Sequence, residues 1–221
     1  MRKNVKTLEL FNCETPYIAP LLNEEYPWQI LPKIKEYILS FIKEGAPGFN
    51  KLKDDVYIGN NVKISPFATI EAPCIIGDNT EIRPGAYIRG SVITGSNCVI
   101  GNSSELKNCV LLNNVQVPHY NYVGDSILGN FSHMGAGSIC SNLKSDKKSV
   151  VIRAETLYNT NLRKVGAFLA DYADIGCGCV LNPGTIVGKN TSIYPLTAVR
   201  GVMPMNSIVK SQNNIVERKE I

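Results

Sequence analysis

The residues able to do chemistry in this chain concentrate between positions 83 and 148. The stretch holds both histidines, His119 and His133, with Arg83, Arg89, Lys107, Tyr122, Asn142 and Lys148 around them. An imidazole, with a pKa of about 6.5, gives up and takes a proton near neutrality. Lysine and arginine side chains meet phosphate, and hydroxyl and amide groups orient polar ligands. Either histidine could instead serve packing or solubility, so the elements that position them have to be read first.

Those elements repeat every six residues. From Ile58 the chain steps through Ile64, Ile70, Ile76, Ile82, Ile88, Thr94, Ile100, Leu106 and Leu112, all aliphatic except Thr94. Four positions after each stands a residue that is mostly small or β-branched: Val62, Ala68, Cys74, Thr80, Ala86, Val92, Cys98, Ser104 and Val110. The period falters near Pro118, resumes with Val123, Leu128 and Met134, and returns from Leu169 to Val199. A helix repeats its apolar stripe every three or four residues and a long strand every two, so neither yields this pattern. A solenoid of short strands and turns does, with corners at Gly59-Asn60-Asn61, Gly77-Asp78-Asn79, Pro84-Gly85, Pro183-Gly184 and Gly188-Lys189-Asn190.

The pattern resembles the hexapeptide-repeat acyltransferase family. That resemblance implies an all-β fold, a left-handed parallel β-helix with three six-residue faces per coil. The predicted domain spans residues 53–205, with an inserted loop at about 140–164. It is preceded by an N-terminal helical segment over 1–52 and followed by a tail over 206–221. Ile30, Ile34, Ile38, Phe41 and Ile42 follow helical spacing, and Gly45-Ala46-Pro47 stops the helix, which is expected to cap the open first coil. The loop is polar and basic, either a solvated excursion or a carrier of phosphate-binding lysines. The tail after Met205 is expected to leave the solenoid.

Composition narrows the classes further. With 44% hydrophobic residues, 19% charged and a net charge of +4, the chain reads as an ordinary globular protein with no nucleic-acid partner and no membrane span. The start lacks a signal-peptide core, and the seven cysteines are odd in number and lack disulfide or zinc spacing, so a cytoplasmic protein with no metal is expected. Cys74, Cys98 and Cys179 fall in the small inward slot.

More specific is "PHYNYVGDSILGN", with a lysine twelve residues before its histidine, together with "RPGA", "GNSSELKN" and "MGAGSICSNL". Over about residues 56–205 this is similar to the acetyltransferase domain of the bifunctional glucosamine-1-phosphate acetyltransferase and N-acetylglucosamine-1-phosphate uridylyltransferase. The resemblance implies an N-acetyltransferase using acetyl-CoA on an amino-sugar 1-phosphate such as glucosamine 1-phosphate, working as a homotrimer. It implies His119 as general base, Lys107 and Tyr122 on the sugar phosphate, and Asn142 and Lys148 beside them. For the family's arginine, motif matching selects Arg83 and register selects Arg89, which is favoured. His133 stands where the family has an asparagine, a departure that bears on substrate choice. On the donor side the resemblance implies Ala136, Ala167 and Lys210.

Two other readings stand beside this one. A catalytically inactive oligomerisation or regulatory module would share the fold, since fold does not dictate function. A zinc enzyme of the solenoid carbonic anhydrase type needs three histidines, and this chain has two. No Gly-rich nucleotidyltransferase loop precedes the repeats, so uridylyltransfer is not expected of these residues.

Overall fold

The computed structural model describes residues 3–219; residues 1, 2, 220 and 221, the outermost positions of the N-terminal segment and the tail, lie outside the described residues. The chain winds into a parallel β-solenoid with three faces. Eight strands stack on the first face, in register Val56↔Cys74↔Val92↔Cys109↔Ser126 and then Ile127↔Phe168↔Ile186↔Val202. The second face aligns Ile64, Ile82, Ile100 and Val117, then Met134, Ile175, Ile193 and Val209. The third aligns Ile70, Ile88, Leu106, Val123, Cys140, Leu181 and Val199. Val56, Cys74, Val92 and Cys109 of the first face and the residues aligned on the other two form one continuous core, in which each buried aliphatic side chain contributes roughly 1.5–3 kcal/mol; Ile127, Phe168, Ile186 and Val202 belong to the cluster on the outer side of the first face.

Two successive coils are a residue short, which is why the period falters near Pro118: Thr94 pairs with Leu111 and Leu111 with Leu128. One corner is a column of left-handed residues, Asn61, Asn79, Asn97, Asn114, Phe131, Tyr172, Asn190 and Asn206. Asparagine tolerates that conformation; Phe131 and Tyr172 occupy it as a stacked pair, ring centroids 5.1 Å apart. The small inward slot holds hydroxyls for a reason: Ser104 Oγ donates to the Val117 carbonyl at 2.8 Å, and Thr191 Oγ1 to Pro204 at 2.6 Å, satisfying carbonyls that turn inward.

The helix of the N-terminal segment does not cap the first coil, whose first-face edge is paired instead by the antiparallel strand Asn50–Lys53. The helix Ile34–Lys43 forms as expected, but it packs with Leu10, Ile18, Leu22, Trp28 and Ile30 along the outer side of the first face, over Ile75, Ile93, Val110, Ile127 and Phe168. The triplets Cys74-Ile75-Ile76 and Cys109-Val110-Leu111 are apolar throughout because both sides of that face are buried. Ile58, Val62, Ile64 and Ala68 of the first coil remain half-buried.

Two other expectations are corrected. The insertion is an ordered hairpin, Val151–Arg153 paired with Leu157–Asn159, seated on the solenoid by buried Val150 and Ile152 rather than solvated. The tail continues the second face through Ser207–Ser211 and then folds back as the antiparallel strand Asn214–Glu217, which pairs with that last edge. Among the described residues no helix is long and apolar enough to cross a membrane.

Candidate active site

The corner between the second and third faces carries His119. The strand Gln116–His119 ends there, Tyr120 turns with φ of 51°, and the strand Tyr122–Leu128 begins the next face. Buried Asn121 fixes the bend: its Oδ1 accepts the His119 N–H at 3.0 Å, and its Nδ2 donates to the Gly135 carbonyl at 2.9 Å. The sequence reading passed over Asn121, although a polar residue between two outward-facing ones was its signal. The His119 imidazole itself is exposed, and among the described residues it has no hydrogen-bond partner within the chain.

On the third face one network gathers five predicted or neighbouring side chains. Asn142 Nδ2 donates to Tyr122 Oη at 3.1 Å and to Asp125 Oδ2 at 2.5 Å; Lys107 Nζ lies 3.5 Å from the same carboxylate oxygen. Asn108 Nδ2 donates to Asp125 Oδ1 at 2.9 Å. Asp125 is therefore the hub, a buried carboxylate missing from the predicted set although it closes the His-x-x-Tyr-x-Gly-Asp stretch. Gly124 is needed because a Cβ there would collide with Tyr122 Oη and lie 2.8 Å from Asn142 Nδ2. Burial, followed by the Asp125 charge, raises the Tyr122 hydroxyl above its usual range, while Asn142 opposes the shift, so Tyr122 stays a neutral donor.

The two arginines part company. Ile88 pairs with Leu106, so Arg89 follows in line with Lys107 on the third face, where Arg89 Nη1 meets Glu105 Oε1 at 2.6 Å. Arg83 lies on the second face, ion-paired with Glu81 at 3.1 Å and apart from the network. His133 is also on the second face, one coil beyond Gln116, with Nδ1 2.9 Å from Asp174 Oδ1. That bond lowers the Asp174 carboxyl below its usual value against the opposing effect of burial. Lys148 stands exposed on the inserted loop, outside the network. The loop brings other cations nearby instead: Arg163 and Lys164, with Leu31, Leu143 and Asp125, line a cleft of about 490 Å³.

A family profile described as the GMPPB C-terminal domain matches residues 70–162. The bifunctional protein GlmU of Methanococcus maripaludis is 35% identical over 201 residues, covering 88% of this chain and 48% of that protein. The uncharacterized acetyltransferase YaiX of Escherichia coli K12 is 30% identical over 190 residues, covering 86% of this chain and 82% of the relative. The chain belongs to the hexapeptide-repeat acyltransferase family. It spans about half or less of the bifunctional GlmU proteins it matches. Among solved structures, a mutant of AntD, an N-acyltransferase from Bacillus cereus in complex with dTDP-4-amino-4,6-dideoxyglucose and coenzyme A, aligns with a TM-score of 0.45 at 16% identity, covering 78% of this chain and 91% of that one.

For a hexapeptide-repeat acyltransferase the donor-side residues fall unevenly. Ala136 sits in the His119 column, one coil on, since Gln116 pairs with His133 and the Gly137 N–H donates to the His119 carbonyl at 3.0 Å. Its own N–H has no partner in the chain among the described residues. Ala167 is different: its side chain is inside the prism on the first face, and its N–H donates to Ser126 Oγ at 3.0 Å, so it cannot meet a ligand. Lys210 is exposed near the end of the same corner, four coil steps from His119, which at the usual strand spacing is about 19 Å.

Proposed function

We propose that this chain transfers an acetyl group from acetyl-CoA to the amine of an amino-sugar 1-phosphate such as glucosamine 1-phosphate, with His119 as general base. The observation that carries the reading is the corner itself. His119 there is three residues before Tyr122 of the Tyr122–Asn142–Lys107 network, and its backbone is one coil step, about 5 Å, from that of Ala136, whose N–H is unpartnered among the described residues. Acetyl-CoA supplies an acetyl thioester, so the reaction forms an amide C–N bond and releases the free thiol.

Each residue has a part matched to its chemistry. His119 takes the proton that the sugar amine must lose as it attacks, which needs a base titrating near neutrality. Lys107 and Arg89 face the sugar phosphate, and Tyr122 and Asn142 orient the ring. The Ala136 N–H points to where negative charge develops on the acyl oxygen.

A second copy of the chain completes the site. Phe67, Tyr120 and Leu196 lie on this corner and are 77%, 63% and 86% exposed, spaced three coil steps, about 14 Å, from one to the next along one seam, as separate apolar anchors for a neighbouring copy. A trimer closes it and gives the exposed His119 a walled pocket.

The test is acetyl transfer to glucosamine 1-phosphate followed by thiol release. His119→Ala should lose about 10²–10⁴ of the rate with little change in KM. Full activity in that variant removes His119 as the base.

A further inference from the structure

We propose that the groove between the inserted hairpin and the last coils of the third face is an anion site that holds the diphosphate of a substrate. Arg153, at the end of the hairpin strand Val151–Arg153, and Arg200, which follows Val199 on the third face, line both of two adjoining clefts there, with Asn182 between them. Lys144 adds a cation to one cleft and Lys3 to the other.

The groove is cationic, and although Lys144 is paired with Asp146, the charge of its two arginines is not spent internally. Among the described residues no carboxylate pairs with Arg153 or Arg200. Asp146 is the acidic side chain that lines it, and Asp146 is already taken: Oδ2 lies 3.1 Å from Lys144 Nζ, and Oδ1 accepts the Lys148 N–H at 3.0 Å. Both arginines stand on fixed backbone. The Arg200 N–H donates to Gln212 Oε1 at 2.7 Å, and Gln212 Nε2 returns a bond to the Arg200 carbonyl at 3.2 Å. Gly201 lies so close under the Arg153 carbonyl that a Cβ would stand 2.8 Å from it, so the hairpin is seated on that corner. Two planar guanidinium forks facing one groove match the paired oxygens of two linked phosphates.

Position connects the groove to the reaction. Ser141 and Leu143, the neighbours of Asn142, line its nearer cleft. Arg200 is two coil steps from Ser141, about 10 Å. A sugar 1-phosphate engaged at the Tyr122–Asn142 network keeps its single phosphate at Lys107 and Arg89, so the groove is left for a diphosphate carried by a longer substrate. The diphosphate has two sources under the acyl-transfer reading: the coenzyme end of the thioester donor, or a nucleoside diphosphate carried by the sugar acceptor. A donor that runs along the His119 corner to Lys210 leaves the groove to the acceptor.

The experiment is calorimetric titration of the full chain with ADP and with inorganic pyrophosphate, comparing wild type, Arg153→Gln/Arg200→Gln and His119→Ala. Wild type and His119→Ala should bind alike, and the double variant at least tenfold more weakly, with an unchanged melting transition because both side chains are exposed. Absence of binding to wild type, or a loss under threefold in the double variant, overturns the proposal. Should the double variant not fold, phenylglyoxal labelling of wild type replaces it: ADP must protect Arg153 and Arg200, and unprotected labelling overturns the site. The source is then read from KM. A rise for acetyl-CoA but not for phosphate-free S-acetylpantetheine assigns the donor; a rise for a sugar nucleotide assigns the acceptor. These binding readouts stand even if no acetyl transfer is found, so failure of the site and failure of the acyl-transfer reading are separable.

Discussion

Replacing Asp125 by alanine tests the hub of the proposed sugar site. The carboxylate accepts from Asn108 at 2.9 Å and from Asn142 at 2.5 Å, and lies 3.5 Å from the Lys107 ammonium. Its removal leaves the half-buried Asn108 and Asn142 amides with the Leu31 carbonyl and Tyr122 Oη as their remaining acceptors, and leaves the Lys107 ammonium without its partner. Each lost hydrogen bond to a charged group costs about 1.5–3 kcal/mol. Against this, the desolvation cost of the carboxylate disappears, and water from the adjoining cleft reaches the vacated space. The net loss should be about 2–3 kcal/mol, which for a chain of this size lowers Tm by about 4–12 °C. Asp125→Asn keeps the shape but must turn its NH₂ toward one of the donors, so about half of that loss is expected. Freed of their anchor, Lys107 and Asn142 lose fixed positions, and KM for the sugar phosphate should rise about tenfold, roughly 1.4 kcal/mol. Scanning calorimetry and initial-rate kinetics measure both. A Tm within about 1 °C of wild type and an unchanged KM for Asp125→Ala would refute the reasoning.

Further outcomes can be checked independently. Sedimentation equilibrium should give three times the 24.2 kDa chain mass, and Leu196→Asp, which puts a charge into the exposed seam, should shift the protein toward monomer; an active monomer contradicts the shared site. Thiol titration of the native protein at pH 8 should modify exposed Cys177 before the other six cysteines. Burial pushes the Cys98 and Cys140 thiols up to about 12, so at pH 8 only about 10⁻⁴ of each is thiolate, and both should react only after unfolding. Rapid native labelling of Cys98 would show that the prism opens.

The six-residue period was legible in the chain because the interior of a three-faced coil admits one large and one small residue per face, and Asn60-Asn61 or Gly77-Asp78-Asn79 mark corners by local backbone preference alone. His119, Tyr122 and Lys107 were singled out by a resemblance carried on the His-x-x-Tyr-x-Gly-Asp stretch and the lysine twelve residues before it, where the period itself falters. What the sequence left open depends on contacts between residues far apart along the chain. Ile75 and Ile93 read as ordinary strand residues, and only their burial beneath Ile34 and Trp28 shows that the N-terminal segment lies along the first face instead of over the first coil. Arg83 and Arg89 stand one six-residue face apart, so register already favoured Arg89, and strand pairing puts it in line with Lys107. Ala167 has the composition of a residue that could approach a ligand, yet the register across the insertion, Ile127↔Phe168, puts it inside the prism. Periodicity fixes which way a side chain points along its own coil; which side chains meet across coils is set by insertions and packing, which only the folded chain resolves.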